Sequence, residues 1–167
     1  LSDPAETCFN IVGDLFDMAR YSDAYKLLTG LIDKRPESVK KMVYYILSYI
    51  AETEGECGVE YEKLAGNCEI GKSYPSRRLE VEVLRSFADR GNEEAKMLLG
   101  CILYHKRHYS EAADLFKASM SGSYISKRNL AVAFFSHLDK SEEALDLMLE
   151  LCEERMNDGQ ILYETVI

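Results

Sequence analysis

Two histidines, His105 and His108, stand three positions apart in LYHKRHYS, a spacing that can bring two imidazoles to one metal ion. They straddle the expected end of a helix, where their side chains diverge, and no acid or cysteine stands at ligand spacing to them. Turn histidines facing solvent are the simpler reading, and no metal is expected. His137 stands alone at a helix end, where a partial positive charge suits the helix dipole. Cys101 lies beside an expected groove, but a helix interior lacks the cationic setting that turns a thiol into a nucleophile. Carboxylate pairs occur at Glu80 with Glu82 and at Glu142 with Glu143, on outward faces or helix starts. General acid–base work needs two carboxyl groups that are buried and convergent, so that their acidities split. Glycine-rich phosphate loops, GxSxG elbows and a cysteine–histidine couple in motif context are missing from the sequence. No catalytic residue and no cofactor is expected, which directs attention to binding.

The elements that would position a binding face are most legible from Asn92 to Ser123. Ala95, Leu98, Leu99, Ile102 and Leu103 recur at helical spacing, as do Ala112, Leu115, Phe116 and Ser119, with the polar turn HKRHYS between them. Gly100 and Ala112 put small residues where two helices would touch. A single hairpin of this kind cannot bury its apolar face and must stack on others. Upstream, Phe9, Val12, Gly13, Phe16 and Ala19 form one stripe, opened by Pro4 behind an Asp3 cap with Glu6 at the positive helix end. Ala24, Leu27, Leu28, Leu31 and Ile32 form the next, stopped by Pro36. Ser38 is the expected cap of VKKMVYYILSYIAE, whose apolar residues run most of the way round, so neighbours should cover it on both sides. A short helix near Cys57 to Asn67 follows, with Gly58 and Ala65 as its small residues. Gly71, Pro75 and Ser76 then interrupt the period, and Ser76 is the expected cap of RRLEVEVLRSFADR, an unpaired helix expected to tilt the second half of the stack against the first. Asn92 is the expected cap of the next helix, and Asp139 with Glu142 reads as a capping box near the start of the last.

Composition limits the choices further. The chain has 167 residues, 47% of them hydrophobic and 29% charged, which suits a largely helical globular protein. A net charge of −9 repels phosphate backbones, so nucleic acid is not an expected partner. The longest mostly apolar run, Met42 to Ala51, is too short to cross a bilayer, and no secretory signal opens the sequence. Five widely spaced cysteines fit reduced thiols in a cytoplasm better than a disulfide framework or zinc site. The lack of an initiator methionine and the unfinished ILYETVI suggest an excerpt of a longer protein.

The motif LLGCILY, followed by Ala112 and Phe116, resembles a tetratricopeptide repeat, a unit of about 34 residues. Leu99, Gly100, Ala112 and Phe116 fit its consensus; Leu103, Ser119 and Tyr124 depart from it. Gly13, Phe16, Ala24, Leu28 and Pro36 fit a second copy, and Leu130, Ala131, Phe134, Ala144 and Met148 a third. The segment 37–68 is a degenerate copy, with Glu62 where an aromatic residue belongs. The resemblance implies an all-α, right-handed superhelical solenoid of antiparallel helix pairs in a single domain, 1–167. Its parts would be repeat 1 (1–36), repeat 2 (37–68), a linker with the extra helix (69–90), repeat 3 (92–124), repeat 4 (125–157) and the start of a further helix (158–167). YPSRRLEVEVL, LYHKRHYSEAADLFKAS and RNLAVAFF with SEEAL also resemble the repeat region that follows a mutarotase-like β-sandwich domain of unknown function in large bacterial proteins.

In such stacks the first helix of each pair lines a concave face that holds a peptide or a neighbouring domain. Carried over, the groove would show Asn10, Asp14 and Asp17, then Met42, Ile46 and Tyr49. Further along it would show Met97, Cys101, Tyr104 and His105, then Arg128, Asn129, Val132 and Phe135. For the apolar members, packing inside the stack is an equal alternative. Asp14 stands where the family's carboxylate clamp needs an asparagine, which argues against binding of C-terminal tails. The expected function is a non-catalytic protein-interaction scaffold. The rivals are an accessory domain of a carbohydrate-related enzyme and a Sel1-like repeat adaptor.

Overall fold

The computed structural model describes residues 4–34, 40–68 and 77–154, with side chains from residue 7 onward. The expected roles of Asp3, Glu6, Pro36, Ser38, Gly71, Pro75, Ser76 and the segment 158–167 lie outside them. The described residues form nine α-helices and no strand: α1 (Pro4–Asp17), α2 (Tyr21–Lys34), α3 (Lys41–Thr53), α4 (Val59–Asn67), α5 (Arg78–Asp89), α6 (Glu93–His105), α7 (Tyr109–Ser119), α8 (Tyr124–His137) and α9 (Ser141–Glu154). Contacts divide the chain into two compact units, 1–83 and 84–167.

In the first unit α1 pairs with α2 and α3 with α4, while α2 also touches α3. Phe9 and Val12 of α1, and Ala24, Leu28 and Leu31 of α2, are buried as their spacing predicts. Helix α3, flanked by α2 and α4, buries nine of its residues, among them Val43, Ile46, Leu47 and Ile50. Its start is Lys41, with the extended residue Lys40 in the cap position and no side-chain cap. Helix α4 starts at Val59, two residues later than the spacing suggests, and Gly58 is its cap residue. A methyl group on Gly58 would collide with the Ser48 hydroxyl and lie 2.7 Å from the Ser48 carbonyl oxygen. That hydroxyl donates to the Gly58 carbonyl at 2.9 Å, so the close approach and the hydrogen bond depend on one another.

In the second unit α6 packs on α7, α7 on α8 and α8 on α9, and α6 also reaches α8. Gly100 is the contact point expected from its place in α6: a methyl group there would lie 2.7 Å from Phe116 Cε1 of α7. Ala112 and Ala144 are buried as well. Gly13 differs, since nothing lies within 4 Å of an added methyl group and no close helix approach depends on it. Helix α7 joins α8 through two buried hydroxyls. Ser119 Oγ sits 2.9 Å from Ser126 Oγ and 2.9 Å from the Leu115 carbonyl, and the two hydroxyl protons serve both contacts. Lys127 of α8, only 14% exposed, places its ammonium 3.1 Å from Glu150 and 2.7 Å from Glu154 of α9.

Most joints between the described helices share a left-handed residue, and of these all but 138–140, where Lys140 N reaches Phe134 O at 3.1 Å, close in the same way. Each of the turns 18–20, 90–92, 106–108 and 138–140 has its middle residue in the left-handed region: Ala19 (φ 55°), Gly91 (φ 95°), Arg107 (φ 66°) and Asp139 (φ 52°). Gly55 (φ 82°) does the same after α3. Backward hydrogen bonds from the next residue close the helix ends, as in Arg20 to Leu15 (2.8 Å), Glu56 to Ala51 (2.7 Å), Asn92 to Phe87 (3.1 Å) and His108 to Leu103 (2.9 Å). Two expectations change here. Ala19 belongs to a turn and not to the α1 stripe. Asp139 is a left-handed turn residue, so it cannot also be the cap; the Lys140 carbonyl accepts the first helical bond, from Ala144. Asn92 does cap α6, accepting from Ala95 N at 2.9 Å, a contact that contributes about 1 kcal/mol. At α5, Glu80 reaches back to accept from Arg77 N at 2.8 Å, the same device used from inside the helix.

Candidate functional site

The expected groove residues separate into three groups by exposure. Met42 (5%) and Ile46 (0%) belong to the core of the first unit, and Met97 (3%) and Cys101 (7%) to that of the second. These four are corrected from groove to packing positions. The reason is general to α3 and α6, since a helix with neighbours on both sides buries positions that periodicity places beside its main stripe. Asn10, Asp14 and Asp17 are exposed along α1, and Asn10 Oδ1 accepts from Arg77 Nε at 3.4 Å. Tyr49, Tyr104, Arg128, Asn129 and Val132 are half-buried, while His105 and Phe135 are exposed, Phe135 at 58%.

Within the first unit Tyr49 stacks on Phe16 with ring centroids 6.1 Å apart, and Phe16 meets Tyr21 edge-on at 5.1 Å. The Tyr49 hydroxyl donates to Glu82 Oε1 at 3.4 Å. Burial, reinforced by the Glu82 carboxylate, pushes its pKa upward. A second aromatic link joins α2 to α4, where the hydroxyls of Tyr25 and Tyr61 lie 2.6 Å apart.

Within the second unit the first helices α6 and α8 meet at Cys101 and Asn129, whose amide donates to the thiol sulfur at 3.5 Å. Burial pushes the Cys101 thiol up to about 11, against the Asn129 contact, which pulls the other way. Such a thiol stays protonated at neutral pH and is a poor nucleophile. Around it the face carries Arg128, Val132 and Phe135 from α8 and Tyr104 from α6.

One edge of that face is an aromatic cluster that periodicity did not single out. His137 stacks flat on Tyr109, with centroids 3.7 Å apart and planes 9° from parallel, and its Nε2 lies 3.0 Å from the Tyr104 hydroxyl. Tyr104 meets Tyr109 edge-on at 5.3 Å. His137 is therefore not alone at its helix end. It ties α8 to α6 and α7, and the only sequence signal was that both it and Tyr109 border a turn.

His105 is exposed, and His108 occupies the cap position of α7. Among the described residues no three histidine, cysteine or acidic side chains are placed to hold a metal ion. None of the five cysteines is in a disulfide. No described helix is long and apolar enough to cross a membrane. What the arrangement offers chemically is aromatic, amide and guanidinium contact surface, with the His137 imidazole and the Tyr104 hydroxyl in contact at its edge.

No protein-family model matches the chain, and no curated protein matches it. Among solved structures, the crystal structure of MamA protein is similar at 16% identity and a TM-score of 0.43, covering 94% of this chain and 76% of that one.

Proposed function

We propose that this chain is a non-catalytic interaction scaffold, a cytoplasmic module of tetratricopeptide-like helix pairs wound as a right-handed solenoid, that holds a peptide or a neighbouring domain on the face made by its first helices. The observation that carries the reading is Phe135, a large apolar side chain left 58% exposed on the helix that also presents half-buried Arg128 and Asn129. Aromatic and arginine side chains held on rigid helices are what binding hot spots favour. Asn129 is already held against α6 by its contact with Cys101, so part of the ordering needed for binding is done before a partner arrives.

The test is affinity capture with the whole chain beside its Phe135→Ala, Arg128→Ala double variant. The expected result is a retained protein that the variant releases, at a melting temperature equal to that of the unaltered chain. Equal retention by both proteins would overturn this assignment of the face.

A further inference from the structure

We propose a second docking surface, on the outer side of α9, that takes a basic amphipathic helix of another protein. Leu145 and Leu149 are 50% and 48% exposed although both lie within an ordered helix of the second unit. At about 100° per residue they lie roughly 40° apart, one turn above the other, the spacing at which a helix engages a partner helix. Buried Ala144, Met148 and Leu151 occupy one flank. On the other flank, at roughly 60–100° from Leu145, stand Glu142, Glu153 and Asp146, all exposed.

Charge selects the occupant. Helix α9, SEEALDLMLELCEE, carries six carboxylates and no basic residue. Glu150 and Glu154 hold Lys127, whereas Glu142, Asp146 and Glu153 have no ion-pair partner among the described residues. A helix with apolar anchors three and four residues apart and lysines or arginines along one edge satisfies both the leucines and these acids. A second copy docking through the same helix would set carboxylates against carboxylates. The chain's own segment 155–167, RMNDGQILYETVI, has one basic and two acidic residues and so cannot neutralise the border. This surface is carried by α9 and the face of the proposed function by α6 and α8, so the Phe135 and leucine variants test the two readings separately.

The test uses the full chain with Leu149→p-benzoylphenylalanine, and a synthetic helix of leucines at three- and four-residue spacing edged with lysine. Irradiation is expected to crosslink the peptide, and not a matched peptide edged with glutamate. In titrations of the otherwise unaltered chain, Leu145→Ser with Leu149→Ser should weaken the lysine peptide on the order of tenfold or more. Glu142→Lys, Asp146→Lys and Glu153→Lys together should exchange the preference to the glutamate peptide. Circular dichroism checks that each variant keeps its helices. A crosslink to a second copy, a crosslink to residues 155–167, equal capture of both peptides, or no crosslink at all would overturn the proposal.

Discussion

At the scale of single residues, two glycines with similar places in the helical pattern have opposite roles. In α6, Gly100 faces the ring of Phe116, itself only 1% exposed, so a new methyl group 2.7 Å from that ring forces a buried aromatic to move. Gly13 in α1 has open space around it and contributes only the backbone freedom that weakens a helix. Gly100→Ala should therefore lose about 1–3 kcal/mol, whereas Gly13→Ala should gain about 0.5–1 kcal/mol. Thermal denaturation of the two variants decides it: shifts of the same sign would show that one contact is misplaced. The sequence marked both positions as small, since a pattern records residue size. Only the packing shows whether anything occupies the space. Cys101 and Met97 carry the same lesson in reverse, as their apolar or soft character fits a groove and a core equally well.

At the scale of elements, the helices were readable because their buried faces repeat every three or four residues, as in Leu98, Leu99, Ile102 and Leu103. Their joints were not. A left-handed residue is normally announced by glycine, and here Ala19, Arg107 and Asp139 fill that position in three of the turns. A side chain in this region costs roughly 1–2 kcal/mol, which the backward hydrogen bonds and the packed helices on either side offset. Ala19→Gly and Arg107→Gly should each relieve part of that cost and stabilise by about 0.5–1 kcal/mol. Chemical denaturation midpoints measure it. A loss of stability in both would mean that the unfolded chain's extra freedom outweighs the strain. The Tyr109–His137 stack escaped the sequence for a related reason, because it depends on how two turns are juxtaposed and neither turn specifies that alone.

At the scale of the whole molecule, the described groups with resolved shifts act in one direction. Burial pushes Cys101 up to about 11 and Tyr61 up to about 12, the latter helped by the Tyr25 hydroxyl. Lys127 is raised by its hydrogen bond to Glu154, with Glu150 adding to it against partial desolvation. Each group binds its proton more tightly when folded, so each contribution is complete below the unfolded pKa and disappears as pH rises through the folded one. The melting temperature should hold steady up to about pH 8 and fall progressively toward about pH 11. A flat profile over that range would contradict the buried settings of Cys101 and the tyrosine pair. The net charge of −9 was visible in composition, but its uneven placement along α9 became apparent only when Leu145 and Leu149 were found beside it.

The shared joint geometry makes the hairpins modular. Residues 18–20 and 106–108 each turn the chain around a left-handed middle residue within three positions and close with the same backward hydrogen bonds, although Met-Ala-Arg and Lys-Arg-His have no residue type in common at equivalent places. Either tripeptide could be transplanted into the other connection while preserving the phase of the helices it joins. Lengthening one by a single residue would instead rotate everything downstream, so substitutions should be far better tolerated at these corners than insertions.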